Sequence, residues 1–360
     1  MNIVHLMNEF WYGGIQETVL TLCQGMPEHR HFVLGHTDGP MRETFGSEKN
    51  VFYISTSWDK EYSGLDRFIK NNDIDIVHKQ MGGGDTSDML QQLRHPEKLC
   101  TVVESVHCPR ACKTPYDLVD FVCVASMYTM AHQELYKDRN NISVVHYGCD
   151  IPKPNKSREE VRDSWGIPQD AFIVGRIGRL SGSKLVHDTA YAANIANETI
   201  PNFHCIIGGA IPNDEGPSYY HNLVEKFGNH PNIHFIGEVD TPEDRASILQ
   251  ALDVCCYPTQ GEGFGMIFLE AIHQGLPIIT YDNGANAEVV GEAGWSIKYS
   301  EDISDRVNRL AEKLHQIYDM RENLPGSMNE WKARVRDRGK AFTVEAYADR
   351  MREVYNNEYT

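Results

Sequence analysis

Positive charge is scarce in this chain. Its 360 residues hold 34 Lys and Arg against 51 Asp and Glu, a net charge of −17. That balance excludes nucleic-acid binding as the main task, because a phosphate backbone needs a basic surface. It also opposes broad adhesion to anionic lipid. No run of 18 apolar residues occurs, so no spanning helix is expected. Residues 1–7 lack a basic start and a long apolar core, so they read as a strand and not as a signal peptide. Paired cysteines are missing too. The nine are odd in number and scattered, several within apolar runs such as 121–125. That usage suits reduced, buried thiols in a cytoplasmic protein. Cys108 and Cys112 beside His107 have no second Cys/His pair at ligand spacing, so no metal site is expected there. The GxGxxG dinucleotide fingerprint is absent, which argues against a nicotinamide dehydrogenase.

What is present is alternation. Short apolar runs fall at 3–7, 31–34, 51–54, 74–77, 101–106, 121–125 and 142–146, with amphipathic stretches at 14–23, 65–71, 87–93 and 127–136. The pattern breaks at 149–156, where two prolines interrupt it. It restarts with strands at 172–177, 203–207, 233–236, 254–257, 277–280 and 294–297. Helices are expected at 186–196, 219–227, 242–249, 266–274, 303–318, 327–338 and 344–355. Such alternation predicts βαβ units and parallel sheets. The length and the break predict two Rossmann-like, doubly wound α/β domains, 1–150 and 151–340. Ligands then belong at the carboxyl ends of the strands.

Glu262 and Glu270 bracket Gly263-Phe264-Gly265 and an apolar run. If the segment from Gly265 is helical, eight residues rise about 12 Å; extended, they span roughly 26 Å. The shorter span suits a ligand with hydroxyls at both ends and a charged middle. A helix beginning near Met266 would offer free N–H groups and a positive dipole end to that charge. Arg179 and Lys184 follow the strand 172–177 with Gly182 between them. A guanidinium and an ammonium there suit a diphosphate, or form an ordinary solvated loop. Gly13-Gly14 follows the first strand and is either a tight turn or a close approach to a ligand. His107 ends the run 101–106 and is either a ligand contact or a satisfied core histidine; His78 and His146 also follow apolar strands. Asp73-Ile74-Asp75 precedes its strand and reads as a turn, not a metal motif.

These segments together resemble the retaining glycosyltransferases of family 4, which have the GT-B architecture. The resemblance runs nearly end to end. It is strongest in 172–184, 232–239, 252–258, the glutamate–seven–glutamate stretch with Ala271, and 281–290 with Glu288. It implies two domains facing across a cleft, with the terminal segment 341–360 packing back on the first. It also implies hexose transfer from a sugar nucleotide, GDP-mannose being favoured, to an acceptor hydroxyl. Neither cofactor nor metal is implied, since the sugar nucleotide is a substrate. Glu262 would bind the transferred sugar with backbone N–H groups around Gly263, Phe264, Gly265 and Met266. Glu270 would hold the ribose, Arg179 and Lys184 the diphosphate, Val239 the base side. Gly14 would approach the phosphate and His107 the sugar. Leu185 and His146 depart from the pattern, where Gly and Pro are common. Expected partners are the donor and a glycan or other hydroxyl acceptor, with no nucleic acid and no membrane span. A homodimer is a common outcome for such enzymes.

Overall fold

The computed structural model describes residues 1–58, 62–81, 87–94, 98–109, 113–134, 139–150, 152–211, 216–239 and 241–357. Cys112, the loop 82–86 and the end of the helix expected at 127–136 lie outside the described residues. The chain divides into two compact units, 1–150 with 341–360, and 151–340.

The first unit begins with β1 (Asn2–Leu6), α1 (Gly14–Gly25), β2 (Arg30–Leu34), α2 (Met41–Ser47) and β3 (Val51–Ser55). It continues with α3 (Leu65–Asn71), β4 (Ile76–Lys79), α4 (Ser87–Gln91) and β5 (Thr101–Val106). β6 (Phe121–Val124), α5 (Met127–Met130) and β7 (Ile142–Val144) complete its sheet. Strand order is β3-β2-β1-β4-β5-β6-β7, with every pairing parallel. β4 starts two residues later than its apolar pattern suggests. Asp73 has φ +50°, and Asp75 accepts the Asn2 amide at 2.7 Å, so this acidic pair forms the turn into the strand.

The second unit holds α6 (Arg158–Ser164), β8 (Phe172–Ile177), α7 (Val186–Asn197), β9 (Phe203–Gly208), α8 (Gly216–Phe227), β10 (Ile233–Gly237) and α9 (Pro242–Ala251). Then come β11 (Val254–Tyr257), α10 (Met266–His273), β12 (Ile278–Tyr281), α11 (Asn286–Val290), β13 (Gly294–Ile297), α12 (Ile303–Asn323) and α13 (Pro325–Gly339). Its order is β10-β9-β8-β11-β12-β13, again all parallel. Helices cover both faces of such a sheet, so its inner strands are mainly apolar. All six residues of β8 and all four of β11 are buried. Between β8 and β11 the connections reverse direction, which opens a crevice at the strands' carboxyl ends.

The last helix, α14 (Val344–Tyr355), belongs to the first unit. Tyr347, Ala348, Met351, Val354 and Tyr355 form its buried stripe. It packs on α1, where a Cβ at Gly25 would stand 2.8 Å from that of Ala348. The Tyr355 hydroxyl meets His78 Nδ1 at 2.6 Å, and His78 Nε2 lies 2.8 Å from Ser105. His78 is thereby a satisfied core residue that ties the terminal helix to the sheet.

Three short helices escape the apolar-period reading: α2, α6 and α11. For α6 the signal was present in another form. Ser157 caps it by accepting from the Glu160 amide, and the Glu160 side chain returns to the Ser157 amide. In the second unit α12 is fastened to α7 by Arg306, whose Nε and Nη2 donate to the two oxygens of Asp188 at 2.5 and 3.2 Å. Tyr281 donates to the same carboxylate at 2.7 Å. Both charged groups are buried. Arg306→Met therefore strands a buried carboxylate, and the expected loss of stability is about 3–5 kcal/mol. A urea midpoint equal to wild type would refute this.

Candidate functional site

The carboxyl ends of β8 and β11 carry two loops. The first runs from Gly178 to Leu185. Gly178 donates to the Gly208 carbonyl at 3.0 Å. A Cβ at Gly209 would lie 2.1 Å from the Gly178 oxygen, so only glycine permits this approach. Arg179 then projects into solvent and makes no hydrogen bond or ion pair with any described residue. A short 3-10 turn over Gly182–Lys184 leads to Leu185, which has φ +47°. The position therefore favours glycine, and Leu185 carries a strain of about 1–2 kcal/mol. Its side chain is buried in the core cluster around β8 and α7, which offsets that strain.

The second loop runs from Pro258 to Gly265. Thr259 Oγ1 donates to Glu262 Oε1 at 3.0 Å. Lys184 Nζ pairs with the same oxygen, which joins the two loops across the reversal between β8 and β11. The backbone is fixed as well. The Ala285 amide donates to the Glu262 carbonyl at 2.9 Å, and that of Gln260 to Ser183 at 3.2 Å. Gly284 has φ +65°, and a Cβ there would stand 2.7 Å from the Glu262 backbone. The glycine loop 281–290 thus buttresses the glutamate. Gly263 and Phe264 are buried, and Gly265 turns the chain with φ +89° into α10. Gly265 offers no side chain to cap that helix and its first turn holds no acid, so the helix start keeps its positive dipole end.

Glu270 lies within α10, eight positions after Glu262. Its Oε2 accepts from Arg245 Nε of α9 at 3.1 Å. Burial raises its pKa above the ordinary carboxylate value against the pull of Arg245. Val239, just past β10, lines a cavity of about 280 Å³ together with Glu238, Trp165, Asp244 and Ser247. Lys184, Glu262 and Thr259 are therefore in direct contact, whereas Glu270 and Val239 have their own neighbours.

The remaining two candidates are in the first unit. Gly14 is the exposed first residue of α1, after an extended Gly13. His107 follows β5, with its Nδ1 2.8 Å from the Tyr147 hydroxyl. Burial lowers its pKa to about 4, so the ring is neutral at pH 7. Elsewhere in that unit His5, Cys23 and His31 present ligand-type atoms within 4.8 Å of one another, a grouping with no spacing signal in the sequence. Hydrogen bonds account for it: His5 Nε2 lies 3.0 Å from His31 Nδ1, and His31 Nε2 lies 3.1 Å from the Met26 carbonyl. The described cysteines are all free thiols. No described helix is long and apolar enough to cross a membrane.

Arg245, Thr259 and Gly284 had no signal in spacing, because each acts through a partner brought near only by the fold. With this geometry in place, the family comparison concerns the second unit: residues 157–334 match the sequence model described as Glycosyl transferases group 1. Those residues are similar to that family. The chain is similar to the D-inositol 3-phosphate glycosyltransferase of Corynebacterium urealyticum, 32% identical over 192 residues, covering 47% of this chain and 45% of that protein. It is also similar to the O-antigen biosynthesis glycosyltransferase WclY of Escherichia coli, 26% identical over 205 residues, with 54% and 50% covered. The chain spans about half the length of the curated relatives it matches. Solved structures agree over the whole chain in fold. A glycosyltransferase from Rickettsia africae has a TM-score of 0.83 at 14% identity, covering 99% of this chain and 98% of that one. Anabaena HepE, in complex with UDP and glucose, has 0.76 at 17%, covering 98% and 99%. The architecture is GT-B: two doubly wound units, the matched residues lying in the second.

Proposed function

We propose that this protein is a retaining glycosyltransferase that moves a hexose from a sugar nucleotide to an acceptor hydroxyl. The observation that carries the reading is the Lys184–Glu262 pair. It joins the loops after β8 and β11 at the strand-order reversal, within the residues similar to group 1 glycosyl transferases.

In this reading the hard step is breaking the sugar–phosphate bond, with negative charge building on the leaving diphosphate. Arg179, Lys184 and the uncapped start of α10 supply the positive field that charge requires. That field makes a divalent ion unnecessary. Glu262 holds the sugar. Thr259 fixes its Oε1, and the other oxygen is left to accept sugar hydroxyls. Lys184 and Glu262 neutralise one another in their pair. Donor entry divides them, the ammonium going to phosphate and the carboxylate to sugar. Glu270, steadied by Arg245, takes the ribose hydroxyls, and the cavity beside Val239 takes the base side. The leaving phosphate accepts the acceptor proton on the same face, which retains the anomeric configuration.

GDP-mannose is the donor proposed, on the Gly263-Phe264-Gly265 sequence after the first glutamate. The names of several relatives make a phosphorylated inositol the first acceptor to try. Calorimetry with GDP-mannose, UDP-glucose and UDP-N-acetylglucosamine is expected to give the tightest binding for GDP-mannose. Tight binding of a UDP-sugar with none for GDP-mannose would reverse the donor assignment. Epimerised donor without transfer to any acceptor would replace transfer itself.

A further inference from the structure

Arg176 is a buried cation that the proposed reaction has not yet used. It is the penultimate residue of β8, three positions before Arg179, and only 3% exposed. Its neighbours in β8 are apolar, and the strand is covered on both faces. Its Nε and Nη1 are buried without a hydrogen-bond partner among the described residues. Its guanidinium carbon lies 5.7 Å from the ring centre of Tyr257, the last residue of β11. Glu262 is the carboxylate whose charge acts on it, and Tyr219 of α8 and Cys256 lie nearby as neutral groups. His187, in the first turn of α7, feels it in turn.

This arrangement is costly as pure architecture. A buried guanidinium with two idle donors loses its hydration and recovers little. A leucine or methionine would fill the strand position at lower cost. Neither idle donor reaches a carboxylate among the described residues, and Glu262 acts on Arg176 only at a distance. Glu262 is engaged by Lys184 and Thr259, and Asp188 by Arg306, Tyr281 and His187. The compensation is therefore sought in an anion from outside the chain. The place where one is expected is the loop three residues further on.

We infer that Arg176 is the fixed positive charge behind the diphosphate site, a positioning residue that keeps the site cationic while Lys184 and Glu262 cancel. The inference rests on the donor-site reading above. Arg179 is exposed and screened by solvent, whereas a guanidinium in the low-dielectric interior acts over a longer range and cannot move away. Its field favours the doubly charged leaving group over an uncharged ligand of the same shape.

The test uses the full-length protein and titrates GDP, UDP and the corresponding nucleosides calorimetrically into wild type, R176M, R176K and K184A. R176M is expected to weaken binding of the preferred diphosphate by tenfold or more and to leave nucleoside affinity unchanged. R176K, which keeps the charge, is expected to bind the diphosphate within a few-fold of wild type. An equal loss for diphosphate and nucleoside would assign Arg176 a packing role and overturn the inference. So would an R176M protein that binds both like wild type while K184A is weakened, and that result leaves the donor-site reading standing. Wild type that binds neither diphosphate removes both. If R176M does not fold, R176Q replaces it, and an R176K protein that has lost diphosphate but kept nucleoside binding would also count against a purely electrostatic role.

Discussion

Lys184→Ala is expected to lower turnover by a factor of about 10²–10³, the loss seen when one donor to a developing oxyanion is removed, or about 3 kcal/mol. The ammonium would act on charge that appears on the leaving diphosphate, so the effect belongs in kcat. A second effect follows from the geometry of the pair. Lys184 neutralises Glu262 at the mouth of the β8–β11 crevice. Without it, an arriving diphosphate meets an uncompensated carboxylate, so donor KM rises as well. Folding stability is expected to change little, because the pair is partly solvated. Lys184→Arg should recover part of the loss, since charge is kept but reach and geometry differ. The measurement is initial rate against donor concentration for the three proteins. Turnover of the alanine variant near wild type would remove Lys184 from the chemistry and, with it, the meaning given to its contact with Glu262.

The same pair shows where sequence and structure carry different information. β8 and β11 were legible because parallel strands buried on both faces are continuous apolar runs, 172–177 and 254–257. α10 was legible from Gly265 and the run behind it. α2 and α11, of seven and five residues, were not expected, although α3 and α4 of the same lengths were. α6 was legible only through its cap, Ser157 with Glu160. Leu185 stood out as a departure from a glycine pattern, and its φ of +47° gives the physical reason that glycine is common there. Arg176 was hidden by its setting, a single charge inside an apolar run, where polarity reads as an interruption. Nor could spacing show that Thr259 and Lys184 share one oxygen of Glu262, or that Arg245 reaches Glu270. Those contacts depend on strand order. The reversal between β8 and β11 makes neighbours of segments some eighty residues apart.

The second large expected effect is acid lability of the first unit. Its sheet buries a row of histidines on adjacent strands: His5 on β1, His31 on β2 and His78 on β4, with His5 and His78 in register. The His5 and His31 rings stack at 5.2 Å, and His78 lies 5.7 Å from His5. Burial lowers all three pKa values, to about 4 for His31 and about 3 for His78, and His107 falls to about 4. The groups facing them are Cys23, His29, Tyr355, Ser105, Gln80 and His107, and the one carboxylate that acts on the row, Glu28 near His31, does not outweigh burial. The sign follows from linkage. Above the unfolded value of about 6.5 both states are neutral, and stability is fully present. As pH falls below 6.5 the unfolded chain takes up protons that the folded unit refuses. Stability is lost until the folded pKa is reached. One histidine moved by some two and a half units is worth roughly 3 kcal/mol over that range, and two or three approach the whole stability of a domain. Ordinary carboxylates still carry their charge at pH 5, so a fall in stability between pH 7 and 5 isolates the histidines. Protection factors of the β1, β2 and β4 amides in moderate urea, which discount the intrinsic slowing of exchange in acid, are expected to fall steeply across that interval. His78→Gln, able to keep polar contacts with Tyr355 and Ser105 but unable to titrate, should make the dependence shallower. Protection factors in these strands that are unchanged from pH 7 to 5 would mean that the buried rings take up protons as freely as exposed ones, and the row would then carry no acid sensitivity.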